Sequence, residues 1–357
     1  MQLNNTLIAA AVTAALAASA NVSAETTVYG KIHTSVAAVS QDTCTPPTVN
    51  TNCDFSGTAI SSHSSRVGIK AKKALENGME ISGKAEFELD AVSGSYSKSK
   101  DYDLDFDGDT VTDATVTDND KYIFKPRNIY VGLKGGFGEV RVGHHDTPHK
   151  IATGKLDPFS DTYADYNNII TVANRLDNVV AYLNKFGPVG VAAAYHAGDD
   201  SVEAENNGAA TSIMINYDQG PLYVAAAVES YGDTVADDLQ TATVIGAGYK
   251  IGPVDLGLVH ETLAYDGNSI DDVAETYFSA KYKLNDKNTI KLAYGMRDDG
   301  ESATDDEVMT AVGFDHKLDK SASVYALYAA GSDGGLAKKG KLDGDASAFA
   351  LGLVYKF

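Results

Sequence analysis

No tryptophan occurs in the 357 residues of this chain, cysteine occurs twice and proline eight times. Beyond residue 24 no apolar run approaches the roughly 18 residues of a membrane helix, which excludes a helical membrane protein. Two cysteines do not make a disulfide-rich scaffold. Nor do they stand in ligand spacing with other cysteines or histidines, so metal binding is the lesser reading of them. Positive charge is scarce too: 29 Lys and Arg face 49 Asp and Glu, a net charge of −20. Phosphate backbones require a basic face, so nucleic acid is excluded as a partner. No Gly-x-Ser-x-Gly elbow is present, and Ser61-Ser62-His63-Ser64 has no Ser/His/Asp set to join. Neither an enzyme nor any covalent chemistry is expected.

What the chain does have begins with an export signal. Leu7–Ala18 (LIAAAVTAALAA) is too short and too small-residued to span a bilayer, and it leads to Val22-Ser23-Ala24, a small-x-small cleavage site. Residues 1–24 are therefore read as a signal peptide and 25–357 as one exported domain. The segment MQLNN departs from the rule in carrying no Lys or Arg. In an oxidising compartment, Cys44 and Cys53, which bracket Pro46-Pro47, most simply form one disulfide that pins a loop.

From Glu25 onward the pattern has period two. Met79, Ile81, Gly83, Ala85, Phe87 and Leu89 alternate with Glu80, Ser82, Lys84, Glu86 and Glu88, one face apolar and the other charged. Strands of a soluble sandwich are about half that length, whereas roughly nine to eleven residues match a tilted crossing of a bilayer. Sixteen such strands are predicted, the first at Thr27–Val36, the second at Ser65–Lys72 and the last at Ala346–Phe357. Their connections alternate in kind. Short turns such as Lys185-Phe186-Gly187-Pro188, Gln219-Gly220-Pro221 and Ile251-Gly252-Pro253 are followed by long polar loops such as GDDSVEAENNGAA. An all-β, up-and-down transmembrane barrel in a bacterial outer membrane has this asymmetry, and closure leaves no free edge in lipid. Without tryptophan, the interfacial girdles must use Tyr and Phe, for example Phe278, Tyr282, Tyr294, Phe349, Tyr355 and Phe357.

One connection breaks the rule. The stretch from His144 to about Ala173 carries Ile151, Leu156, Phe159, Tyr163, Tyr166, Ile169 and Ile170 among Asp157, Asp161 and Asp165. So much apolar surface is not expected to stand in water, and the segment is predicted to fold inward against the wall.

In this order, several motifs resemble the general, trimeric Gram-negative porins across nearly the whole mature chain. They are Val28-Tyr29-Gly30-Lys31, Ser65-Arg66-Val67-Gly68-Ile69-Lys70, Leu75-Glu76-Asn77-Gly78, Arg127-Asn128-Ile129-Tyr130-Val131-Gly132-Leu133 with Gly138-Glu139-Val140, Arg175-Leu176-Asp177-Asn178-Val179-Val180-Ala181-Tyr182 and the ending Leu353-Val354-Tyr355-Lys356-Phe357. The resemblance implies a homotrimeric, sixteen-stranded barrel whose third loop, His145–Ala173, narrows the channel. Asp157, Asp161 and Asp165 would face Lys31, Arg66 and Arg175 on the wall. It also implies contact with outer-membrane lipid and lipopolysaccharide, and reading of the terminal Phe357 by the barrel-assembly machinery. The loop Ser93–Asp120 would latch onto a neighbouring subunit. Where such porins commonly carry Gly-Arg, this chain has Gly143-His144, so a wall less positive than usual and a mild cation preference are expected.

Other clusters have plainer readings. His144, His145 and His149 are read as polar lining rather than a metal site. Asp101, Asp103, Asp105, Asp107 and Asp109 have a calcium-loop rhythm, but Ala114 stands where an EF-hand needs its bidentate acid. A solvated acidic loop is the main reading there, with a loose Ca²⁺ or Mg²⁺ bridge as the alternative, and no other cofactor is expected. Two rival functions stay open, a solute-specific channel and a barrel serving as adhesin or structural anchor.

Overall fold

The computed structural model describes residues 25–42, 54–104, 114–172, 174–198, 208–232, 239–265, 272–298, 300 and 306–357. The signal segment and both Cys44 and Cys53 lie outside them. Strand β1 (Glu25–Asp42) closes the sheet against the last strand, β19 (Asp345–Lys356), in a register running from Lys31 opposite Lys356 to Asp42 opposite Asp345. On its other edge β1 is shared. Glu25–Lys31 pair with β3 (Ser65–Ala74), and Thr34–Asp42 pair with β2 (Asp54–Ser62). His63 and Ser64, the latter at φ 47°, separate these two arms. The seventeen strands of the sheet therefore occupy sixteen positions around a closed antiparallel barrel, as the sequence predicts.

Beyond β4 (Glu80–Leu89) lies a separate ladder, β5 (Tyr96–Leu104) with β6 (Ala114–Tyr122), in a stretch expected to be loop. Asp101 and Asp103 are on β5, while Asp105, Asp107 and Asp109 fall outside the described residues. The wall resumes with β7 (Lys125–Gly135), β8 (Gly138–Asp146), β9 (Arg175–Phe186), β10 (Val189–His196), β11 (Ala210–Gln219) and β12 (Leu222–Tyr231). It continues through β13 (Leu239–Ile251), β14 (Val254–Tyr265), β15 (Val273–Lys283), β16 (Asn288–Asp298), β17 (Glu307–Lys317) and β18 (Ala322–Ser332). At one end the hairpins are tight. Gly187, Gly220 and Gly252 take φ of 60°, 59° and 55° before proline, the positive φ that a two-residue turn of the primed type needs at its first position.

Alternation gives the wall two faces. On β11, Ile213 and Ile215 are 62% and 54% exposed, whereas Ser212 and Met214 are buried. The exposed face is apolar around the barrel, with Val180, Ile245, Leu258, Leu292, Val312 and Leu351, and the six girdle aromatics are exposed on it too. A continuous apolar outer surface of this extent is a lipid surface. The buried side chains gather on the opposite face, beneath the segment between β8 and β9.

Candidate functional site

The segment opens at Thr147, whose hydroxyl accepts a bond from the Lys150 N–H at 3.4 Å and caps α1 (Pro148–Thr153). Pro148 occupies the first turn, where no N–H is needed. Single turns of 3₁₀ helix follow at Gly154–Leu156 and Tyr166–Asn168. The seven apolar residues that marked this stretch are buried or nearly so, with Phe159, Ile169 and Ile170 at 1%, 0% and 1% exposure. They lie on the wall face opposite the apolar band.

Two features of the strands receive them. The first is a track of glycines. A Cβ on Gly246 or Gly248 would come within 2.8 or 2.9 Å of Leu156, one on Gly295 within 2.6 Å of Ile169, and one on Gly313 within 2.8 Å of Phe159. By having no side chain, these strand glycines leave room for the segment's apolar side chains to seat on the wall. The second is a row of polar side chains that take up the segment's own backbone groups. Tyr223 Oη donates to the Ala152 carbonyl at 2.6 Å, Ser279 Oγ to Leu156 at 2.7 Å and Lys291 Nζ to Pro158 at 3.1 Å. His149 N–H donates to Ser212 Oγ at 3.0 Å. Sequence reasoning missed both features, although glycines on alternate strand positions were a visible signal.

The return limb is held by carboxylates that sequence reasoning also missed. Glu261 Oε2 accepts the N–H groups of Thr171 and Val172, each at 3.0 Å, and Glu275 Oε2 accepts Thr171 N–H at 2.6 Å. Both acids, with Glu229, are fully buried, and Glu229 reaches Asn174 at 3.1 Å. Above this limb the connection between β18 and β19 folds over. The Lys339 N–H donates to Asn168 Oδ1 at 2.6 Å and Lys338 Nζ to Thr171 Oγ1 at 2.8 Å.

The structure separates the seven residues expected at the neck. Asp161, at φ 59°, turns its carboxylate onto Lys31 and onto Arg66 Nη2, the latter at 2.6 Å. These two cations hold its carboxyl well below the usual carboxylate range against the opposing effect of burial. Asp157 and Asp165 do not meet the wall cations. Asp157 accepts from Phe159 N–H, Tyr166 N–H and Tyr277 Oη at 2.8, 3.1 and 2.9 Å. Asp165 accepts from Asp161 N–H at 2.6 Å and Asn167 N–H at 2.9 Å. Asp165 ties the segment to itself, and Asp157 does so while also fastening it to Tyr277 on β15.

Arg175 pairs instead with Asp146 at 2.7 Å, which also takes Lys150 at 3.3 Å and Asn128 at 2.6 Å. His144 stands opposite Ile129, on the face that carries Val131 and Val142, and meets Asp177 at 2.5 Å. Its neighbour His145 takes the inner position, 2.8 Å from Arg141 and against the Tyr130 ring. Cations are thus plentiful on the inner wall from β1 to β9. Arg127 grips Glu86 and Glu88 at 2.8 and 2.7 Å, and Arg141 grips Glu139 at 2.8 Å.

Burial and the neighbouring Asp165 push the Asp157 carboxyl up, to about 8, against the pull of its three donors. Its free value is about 3.9, so the folded segment binds the extra proton. The stabilisation this gives is present at low pH and lost as pH rises through about 8. Open-channel current noise in planar bilayers is therefore expected to grow as pH rises from about 4 to about 8 and to level off above that, and Asp157→Asn should remove that growth.

The family model for "Gram-negative porin" matches residues 7–336 of the chain. Outer membrane protein U of Vibrio cholerae is 34% identical over 130 residues, 34% of this chain and 35% of that protein. The protein of the same name from Vibrio vulnificus is 33% identical over 140 residues, 38% of this chain and 37% of its own. The aligned part thus spans little more than a third of these curated relatives. Among solved structures, an anion-selective porin from Comamonas acidovorans superposes with a TM-score of 0.71 at 20% identity, covering 94% of this chain and all of that one. Salmonella typhi OmpF, solved with daunomycin, gives 0.66 at 15%, covering 93% and 97%.

Proposed function

The chain belongs to the Gram-negative porin family, whose place is the outer membrane, and from that premise we propose that it is a water-filled channel for passive diffusion of ions and small hydrophilic solutes. The observation that carries this reading is the segment 147–172, which lies on the inner wall face and touches the opposite cations only through Asp161. It narrows the passage to the side of β3–β9, where paired charges of both signs line the water. Opposed charges across such a neck orient polar solutes and bias which ions pass. Stepwise conductance of the purified protein in planar bilayers is the expected result. A folded protein without conductance would favour the adhesin or anchor reading.

The proposal extends to assembly. The chain matures at Glu25 and associates as a homotrimer in lipid and lipopolysaccharide. Phe357, whose backbone exchanges hydrogen bonds of 2.9 and 3.1 Å with Gly30, closes the barrel and is read during assembly.

Ion preference follows from two competing fields. The net charge of −20 gathers cations at the loops, while the cations of the β1–β9 wall favour anions at the neck. Exposed loop charges reach about 30 Å in 0.01 M salt and about 3 Å at 1 M. A mild cation preference is therefore expected in dilute salt, fading as salt rises. Reversal potentials across fixed gradients at the two ionic strengths check this, and a preference independent of salt would overturn it.

A further inference from the structure

Between the segment's lowest turn and the tight-hairpin end of the wall lies a cavity of about 270 Å³, near the small end of the range for ligand sites. Its roof is Lys155 and Leu156, and its wall comes from β11 to β15. Gly248 and Gly257 leave space on that wall by having no side chain, and Leu156 fills only part of it.

The charges around this cavity form a pattern. Lys250, Asp255 and Lys281 are successive cross-strand partners on β13, β14 and β15, so they share one face in a row. Asp255 gives its carboxylate to Lys281 at 3.3 Å. Lys155 spends its charge on Asp218 at 2.6 Å and sits over the Tyr223 ring. Lys250 makes no ion pair within 4.0 Å among the described residues. The cavity therefore holds one cation more than its acids neutralise, and that cation is exposed toward it.

We propose that this cavity is a binding subsite for small organic carboxylates, with Lys250 as its primary contact and Lys281 as its second. The idea rests on the channel reading above and deepens it, because a carboxylate leaving or entering at the tight-hairpin end would pause there. An ammonium group meets net repulsion in the same place. A neutral solute has no charge to place on Lys250.

Three probes of equal chain length separate these cases: succinate, 1,4-butanediol and 1,4-diaminobutane. Succinate added on the tight-hairpin side of a planar bilayer is expected to interrupt the single-channel current at lower concentration than from the other side. The diol and the diamine should not do so. Lys250→Gln should raise the blocking concentration about tenfold, the scale of one charge-assisted hydrogen bond. Asp255→Asn, which frees Lys281, should lower it. Equal block by all three probes, or succinate block unchanged in both variants, would overturn the proposal. Absence of any conductance would instead defeat the channel reading itself, so the two failures are distinguishable.

Discussion

Replacing Gly295 and Gly313 together by valine is expected to raise single-channel conductance well above that of the parent, because the segment over the inner wall loses its seat. A Cβ at Gly295 would stand 2.6 Å from Ile169 Cγ1, and one at Gly313 would stand 2.8 Å from Phe159 Cε1 and 3.2 Å from Lys291. Neither contact is with a freely moving chain end, since Ile169 and Phe159 are 0% and 1% exposed. Overpacking of a close-packed site costs about 1–3 kcal/mol per position, and unseating each apolar side chain forfeits about 1.5–3 kcal/mol more. The sheet itself tolerates valine well, since β-branched residues suit a pleated wall. The strain therefore falls on the segment and spares the barrel. Single alanine substitutions give the graded control, with smaller increases. A valine pair that folds, as judged by heat-resistant strand content, yet conducts like the parent would show that the glycines are not what seats the segment.

Much of this architecture was legible because a bilayer dictates it. Lipid on one face and water on the other impose period two on the strands of the wall, and most of the described wall strands obey it. What the sequence concealed was set by local geometry. The first two strands run on to Asp42 and back from Asp54, through AAVSQD and DFSGTAISS, where small and polar residues blur the alternation. Asp157, Asp161 and Asp165 are evenly spaced and chemically alike, so spacing could not rank them. The left-handed conformation at Asp161 sends one carboxylate outward, while the other two fold back onto nearby N–H groups. The Gly143-His144 pair points to His144 as the unusual wall residue. The register opposite Ile129 gives it to the outer face and hands the inner position to His145. Nothing in the strand pattern singles out Glu229, Glu261 and Glu275, and only the folded segment reveals that Glu261 and Glu275 carry its backbone while Glu229 holds the Asn174 side chain.

The neck makes a second large effect predictable. Asp161 is the acid that compensates Lys31 and Arg66, and both cations remain on the wall if it is neutralised. Asp161→Asn preserves the shape of the side chain and its left-handed backbone, which asparagine tolerates. It leaves the two cations uncompensated, and an ion is taken to pass at about 5 Å from each. In water each contributes roughly 0.8 kcal/mol, with opposite sign for a cation and an anion. Even after partial screening, permeability should move toward anions severalfold. If the segment is the constriction proposed above, the shift should persist at high salt, unlike a preference set by loop charges. Restoring the balance with Lys31→Gln in the same chain should return the permeability ratio most of the way. The clamp is also a tether, so conductance is measured alongside. A larger conductance would report release of the segment, whereas a changed ratio at constant conductance reports the field. An Asp161→Asn channel with the parent's reversal potential would show that this pair of cations does not face the permeating ions.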